Sequence, residues 1–532
     1  TDNAADNVID SGTGNDTINI SAGSDTVTAG DGNDTIVLAD DDLSVADTIQ
    51  GGNGIDTVDY SAEGENITID LDASGNATVS SADAGADVLT GIENITGGAG
   101  DDTLSGNASV NILSGGNGND VLNAEAGDDT MLGGAGNDTL TDAAGADTLD
   151  GGADNDTFNM TADNTEADVI DGGTGTDFVD YSANTLDLTV NLDTGATNNT
   201  GGDTLANIEN LATSSGDDVI TDNAADNVID SGTGNDTINI SAGSDTVTAG
   251  DGNDTIVLAD DDLSVADTIQ GGNGIDTVDY SAEGENITID LDASGNATVS
   301  SADAGADVLT GIENITGGAG DDTLSGNASV NILSGGNGND VLNAEAGDDT
   351  MLGGAGNDTL IDAAGADTVD GGADNDTFTM ENDASDAVDV VIGGTGTDTV
   401  DYTNEDEDII VDLTGGTDTV SIGGVNSDTL NGIENITGGS GNDTLTGHTD
   451  ANVLSGGDGN DVLNAEAGDD TMLGGAGNDT LIDAAGADTL DGGADNDTFN
   501  MTADNTEADV IDGGTGTDFV DYSANTLDLT VN

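Results

Sequence analysis

Aspartate recurs every nine residues through most of this chain, and a column of evenly spaced carboxylates is foremost a set of cation ligands. Residues 97–159 divide without remainder into seven units: GGAGDDTLS, GNASVNILS, GGNGNDVLN, AEAGDDTML, GGAGNDTLT, DAAGADTLD and GGADNDTFN. The sixth place reads Asp102, Asn111, Asp120, Asp129, Asp138, Asp147 and Asp156. The eighth reads Leu104, Leu113, Leu122, Met131, Leu140, Leu149 and Phe158. Glycine dominates the first, second and fourth places. The run returns at 317–379 and 438–500, a five-unit run spans 213–257, and single units stand at 51–59, 172–180, 271–279, 393–401 and 513–521. The same phase makes Asp16, Asp34, Asp236 and Asp254 candidate metal ligands in the shorter runs. In the second long run the candidates are Asp322, Asp340, Asp349, Asp358, Asp367 and Asp376. In the third they are Asp443, Asp461, Asp470, Asp479, Asp488 and Asp497.

Carboxylates together with turn carbonyls form an all-oxygen set, which suits a hard cation such as Ca²⁺. Mg²⁺ fits less well, because it demands near-octahedral geometry and holds its waters. The need for a cation is acute. The 532 residues carry 110 acids and neither Lys nor Arg, a formal charge of −110. Like charges about 5 Å apart repel by roughly 1 kcal/mol in water and several-fold more when partly desolvated. The same composition excludes phosphate-backbone binding to nucleic acid, which needs Lys and Arg. Cys is absent, which excludes disulfides and thiolate chemistry. No apolar stretch approaches the roughly 18 residues of a membrane span, so no membrane insertion is expected. The one histidine, His448 in Gly447-His448-Thr449-Asp450, reads as an exposed turn residue. No catalytic triad or activated nucleophile assembles, and the chain is expected not to be an enzyme.

The elements that position these aspartates follow from the glycines. GGxGxD makes a turn whose glycines permit positive φ, and x-U-x leaves a short strand with one apolar side chain. Ordering a residue costs roughly 1–2 kcal/mol of backbone entropy, so one such unit cannot stand alone. Stacking solves this: two units make a coil, strands pair in parallel about 4.8 Å apart, and unit n lies above unit n−2. The expected fold is all-β, a parallel β-roll or β-solenoid with strand segments inserted between runs. Its divisions are a roll with a following single unit at 1–59, a strand segment at 60–96, and a seven-unit roll with spacer and single unit at 97–180. A strand segment at 181–212, a five-unit roll with spacer and single unit at 213–279 and a strand segment at 280–316 follow. Then come a seven-unit roll at 317–401, a strand segment at 402–437, a seven-unit roll at 438–521, and the start of another strand segment at 522–532. Alternation in 66–71 and 186–191 marks half-buried strands. The spacers Met160–Asp171 and Leu258–Gln270 and the stretch 72–86 read as surface loops. Tyr60, Tyr181, Tyr280, Tyr402 and Tyr522, each following Asp, and Phe158, Phe378 and Phe499 at the ends of long runs, read as caps on a thin core. Residues 1–140 recur unchanged at 221–360, and the repeat is cut mid-module at both ends, as expected for a segment of a longer array.

G-G-x-G-x-D-x-U-x resembles the RTX, or haemolysin-type, calcium-binding repeat. The resemblance covers nearly the whole chain and includes GGNGIDTVDYS at 51–61 and DVLTGIENITGGAGDDTLSGN at 87–107. It implies multiple Ca²⁺ ions held between stacked turns, with sixth-place carboxylates and turn carbonyls as ligands. Ions are then expected between Asp102 and Asp120, Asp120 and Asp138, Asp138 and Asp156, and Asp129 and Asp147. The Asn111 turn departs from the pattern, as does Asp154 where glycine is expected. The implied role is an extracellular, calcium-rigidified structural repeat exported by type I secretion from a Gram-negative bacterium: an adhesin stalk, surface layer or matrix filament. Self-association into a filament or lattice, or attachment to a cell surface, are the partners such a role admits besides calcium. The alternative is the secretion and folding region of a larger enzyme or toxin. Ice binding ranks below both, since the third turn place carries Ala99, Ala108, Asn117 and Ala126 rather than a Thr ladder.

Overall fold

A computed structural model describes all residues except 1, 39–44, 82–85, 162–165, 197, 259–264, 302–305, 381–386, 416–417, 503–507 and 525–532. Contacts divide the chain into two compact units, Thr1–Ile256 with Asp267–Gly274 and Val257–Ala266 with Ile275–Asn532. Among the described residues every helix or strand assigned is a strand, and no helix is long and apolar enough to cross a membrane.

In the first unit, strands eighteen residues apart pair in parallel and in register. Leu104 lies beside Leu122, Leu122 beside Leu140 and Leu140 beside Phe158 on one face. On the opposite face Leu113 neighbours Met131, and Met131 neighbours Leu149. All seven of these eighth-place side chains are fully buried. They form the thin core that two-unit coils demand, each contributing about 1.5–3 kcal/mol by burial. The second unit repeats the arrangement, with Leu342, Leu360 and Phe378 facing Leu333, Met351 and Val369.

The two faces are unequal, which the nine-residue phase does not reveal. One face has three-residue strands such as Thr139–Thr141, matching x-U-x. The other has six-residue strands such as Thr130–Ala135, in which Gly133 and Gly134 lie inside the strand rather than in the turn. Gly116 pairs with Gly134 and Gly134 with Gly152, so the glycines extend the ladder. They do so at positive φ, 112° at Gly116 and 121° at Gly134, a conformation a side chain would disfavour.

The inserted segments add strands to the stacks. Ile67–Asp70 joins the stack ahead of Thr103–Ser105, and Val88–Thr90 joins the stack after Thr48–Asn53. Short antiparallel strands lie against each of them: Ser80–Ser81 pairs with Ile67–Asp70, and Ala77–Thr78 with Val88–Thr90. In the second unit, Ile409–Asp412, Asp418–Ile422 and Val425–Asn431 form an antiparallel insertion between two parallel stacks. The expected spacer loops are shorter than the sequence suggests. Val169–Thr174 and Thr268–Asn273 are strands, so both spacers return to the stack before their expected ends. Their middles, most of 82–86 and the end of the segment at 522–532 lie outside the described residues. Tyr60, Tyr181, Tyr280, Tyr402 and the three run-end Phe are fully buried, and Tyr522 is half-buried. The Phe fill the core rather than cap it, because the stack continues past the run end: Phe158 lies in register between Leu140 and Val179, and Phe378 between Leu360 and Val400.

Candidate metal centre

Coil stacking brings every candidate aspartate into a column with its neighbours. Along one edge the main-chain N–H of Asp102 donates to Oδ1 of Asp120 (2.7 Å), that of Asp120 to Asp138 (2.7 Å) and that of Asp138 to Asp156 (2.8 Å). The opposite edge runs from Asn111 to Asp129 and from Asp129 to Asp147. Asp16 and Asp34, and Asp236 and Asp254, are linked in the same way. So are Asp322, Asp340, Asp358 and Asp376, and across from them Asp349 and Asp367. Asp443, Asp461, Asp479 and Asp497 form a further column, opposite Asp470 and Asp488. Apart from half-buried Asp16, all of these carboxylates are at most 2 % exposed. They are therefore not solvated turn residues.

Each link satisfies a turn N–H that has no place in the sheet ladder. The fifth place does the same in the opposite direction, where Asn119 N–H donates to Asp101 Oδ1 and Asn137 N–H to Asn119 Oδ1. One oxygen of each sixth-place carboxylate is thereby used. In many of them the other is not: Oδ2 of Asp120, Asp129, Asp138, Asp147 and Asp156 is buried with no hydrogen-bond partner, as are those of Asp340, Asp358, Asp461, Asp479 and Asp497. A buried carboxylate oxygen left in this state carries a large desolvation penalty. Run-start aspartates differ, since Asp102 Oδ2 accepts the Gly98 N–H at 2.8 Å.

Where the first place is glycine, as at Gly115, Gly133 and Gly151, the orphaned oxygen faces it. A Cβ added at Gly474 would lie 2.6 Å from both Asp479 Oδ2 and the Gly492 carbonyl oxygen. That space is an oxygen-lined cradle between coils, and the donor set in it, carboxylate and carbonyl, fits a hard cation such as Ca²⁺. Burial, followed by the charges of Asp102 and Asp138, pushes the Asp120 carboxyl up to about 7. Burial likewise takes Asp138 and Asp129 to about 6 and Asp156 to about 7. Both effects disfavour the bare carboxylate, and a bound cation relieves both.

The two departures behave differently. Asn111 needs no cation: its Oδ1 accepts the Asn107 N–H and its Nδ2 donates to the Glu93 carbonyl. At Asp154 the turn keeps its shape despite the missing glycine, with φ of 77°, and the column continues from Asp156 to Asp177. Aspartate tolerates left-handed backbone better than most residues, which lets the turn form without the glycine.

The columns also contain residues that the nonapeptide phase missed. Asp47, Asp87, Asp168, Asp203 and Asp389 extend them after spacers. Their remaining signal is D-[TV]-[LIV] without the glycine turn. Glu93, Glu209 and Glu434, all in I-E-N, close columns by accepting the N–H of Asp56, Asp177 and Asp398. The first-place acids Asp142, Asp362 and Asp483 lie inside the coils beside Asp147, Asp367 and Asp488. His448 is half-buried rather than exposed, with Nε2 3.8 Å from Glu434 Oε1.

The family described as RTX calcium-binding nonapeptide repeat (4 copies) matches residues 1–36, 44–59, 89–122, 123–158, 162–184, 201–238, 241–262, 264–279, 307–342, 343–378, 428–463, 437–472, 464–499 and 503–525. The chain belongs to this RTX family. No curated protein matches it. Among solved structures, the extracellular lipase LipA from Serratia marcescens is 18 % identical with a TM-score of 0.13. That match covers 40 % of this chain and 38 % of the lipase structure, so the chain spans well under half of that relative's length.

In an RTX coil the sixth-place aspartate has two separable duties, accepting a turn N–H and presenting a free oxygen. Substituting Asp138 separates them. Asp138→Asn keeps an acceptor for the Asp120 N–H but removes the charge, whereas Asp138→Ala also orphans that N–H. At saturating Ca²⁺ the Ala variant is expected to be less stable than the Asn variant by about 1–3 kcal/mol, measured by urea denaturation. Equal stability of the two would show that the N–H link contributes nothing.

Proposed function

We propose that this RTX chain is a calcium-binding extracellular structural segment of a Gram-negative bacterium, stiffened when Ca²⁺ fills the carboxylate columns. Adhesin stalk, surface layer and matrix filament are the roles that match it, and the reading assigns the chain no catalytic step. The observation that carries the proposal is the recurrence, every eighteen residues, of a buried carboxylate oxygen with no partner in a chain lacking Lys and Arg. An external cation is then a structural part of each coil. Extracellular calcium modules bind with dissociation constants near roughly 10⁻⁴–10⁻³ M, so the columns stay empty in a low-calcium cytosol and fill outside. Export of an unfolded chain and ordering after exit follow from that difference.

Load bearing is the testable part. Stretching single full chains should give distinct rupture events in millimolar Ca²⁺ and smooth entropic extension in EDTA. Identical force curves in the two buffers would end the structural reading.

A further inference from the structure

In most units the first place is glycine because the carboxylate of the same unit sits over it. Gly133 and Gly151 face Asp138 Oδ2 and Asp156 Oδ2 in this way. The unit DAAGAD, present at 142–147, 362–367 and 483–488, puts an aspartate at that place instead. Asp142 is 1 % exposed, and its carboxylate shares the interior with those of Asp147 and Asp168, all three offering oxygens within 4.8 Å of one another. The same triplet forms around Asp362 and around Asp483.

We infer that each DAAGAD unit holds a divalent-cation site of a second kind, bound by three carboxylates and filled before the two-carboxylate positions of the columns. Crowding of acids alone does not carry this. Two of the three converging side chains each keep a buried oxygen with no hydrogen-bond partner, Asp142 Oδ1 and Asp147 Oδ2. The third ligand is held in place, since Asp168 Oδ1 accepts the Asp147 N–H at 2.8 Å. Asp222 supplies the contrast. It too is a buried first-place aspartate, but the sixth place of its unit is Asn227, and its oxygens accept the Ser241 N–H and hydroxyl at 2.9 and 2.7 Å. Where the chain itself satisfies a first-place carboxylate no triplet forms; at Asp142 the unsatisfied pair meets a third acid. Added ligand charge is what tunes oxygen sites towards tighter calcium binding.

Only the identity of the ion rests on the calcium reading above. Calorimetric titration of the full chain with Ca²⁺ should resolve a class of three ions bound roughly tenfold or more tighter than the rest. The variant D142G/D362G/D483G, which restores the common first-place residue, should lose that class and keep the weaker one together with its calcium-induced circular dichroism. D142N/D362N/D483N, which keeps side-chain volume, should lose it as well. Superimposable isotherms for variants and parent, or a parent with one affinity class, would overturn the site. A parent with three tight ions and no weaker class would instead defeat the column reading and leave this one standing.

Discussion

Removing calcium from the full chain should abolish its β-sheet circular dichroism, and restoring millimolar Ca²⁺ should return it. The reason is the balance inside a coil. Each nine-residue unit buries one large apolar side chain, worth about 1.5–3 kcal/mol, while every ordered residue costs roughly 1–2 kcal/mol of backbone entropy. Main-chain hydrogen bonds narrow the gap, yet the fold also places Asp120, Asp138 and Asp156 in one buried column with no protein cation beside them. The unfolded chain has no such column, so the free energy of binding becomes free energy of folding. The transition should be steep in calcium concentration, because many ions bind the folded chain and few bind the unfolded one. A midpoint near roughly 10⁻⁴–10⁻³ M is expected. A β signal unchanged in excess EDTA at neutral pH would refute the account.

What the nine-residue phase makes legible is whatever the repeat itself enforces. Leu104, Leu122 and Leu140 share a column because a coil is two units long, and Asp102, Asp120 and Asp138 share another for the same reason. Burial of Tyr60 and Phe158 is legible too, because large aromatic side chains supply bulk to a thin core. Less legible are features that depend on which neighbour a residue meets. Gly133 and Gly134 read as turn but lie in a strand, since the next coil offers them partners in register. Asp47 and Asp168 lost the glycine turn and with it their signal, although D-x-U still delivers their carboxylates to the column. Glu93 was invisible because its longer side chain reaches the same main-chain N–H from a different backbone position. Asp142 stands at a place that most units give to glycine, and only the coil shows that its carboxylate lies beside those of Asp147 and Asp168.

Acid should substitute for calcium. In EDTA, lowering the pH from about 8 towards 5 should restore β-sheet circular dichroism to a chain that is unordered at the start. Burial raises the Asp120 and Asp156 carboxyls to about 7 and those of Asp129 and Asp138 to about 6, against 3.8 for an ordinary aspartate. Asp142 and Asp362, pushed up first by burial and then by the carboxyls of Asp147 and Asp367, reach about 9 and about 10. The folded coils therefore bind protons more tightly than the unfolded chain does. A group whose folded pKa is raised contributes stability that is full below the unfolded value and lost as pH rises through the folded value. For the columns that loss falls between about pH 4 and 7, opposite in sign to the usual acid denaturation of salt-bridged proteins. The titration is best stopped near pH 5, above the isoelectric point of 4.1, where net charge still keeps chains apart. Protons and calcium neutralise the same oxygens, so the calcium needed at neutral pH should become dispensable as each column protonates. A chain that remains unordered in EDTA down to pH 5 would show that desolvated carboxylates are not what holds the metal-free fold open.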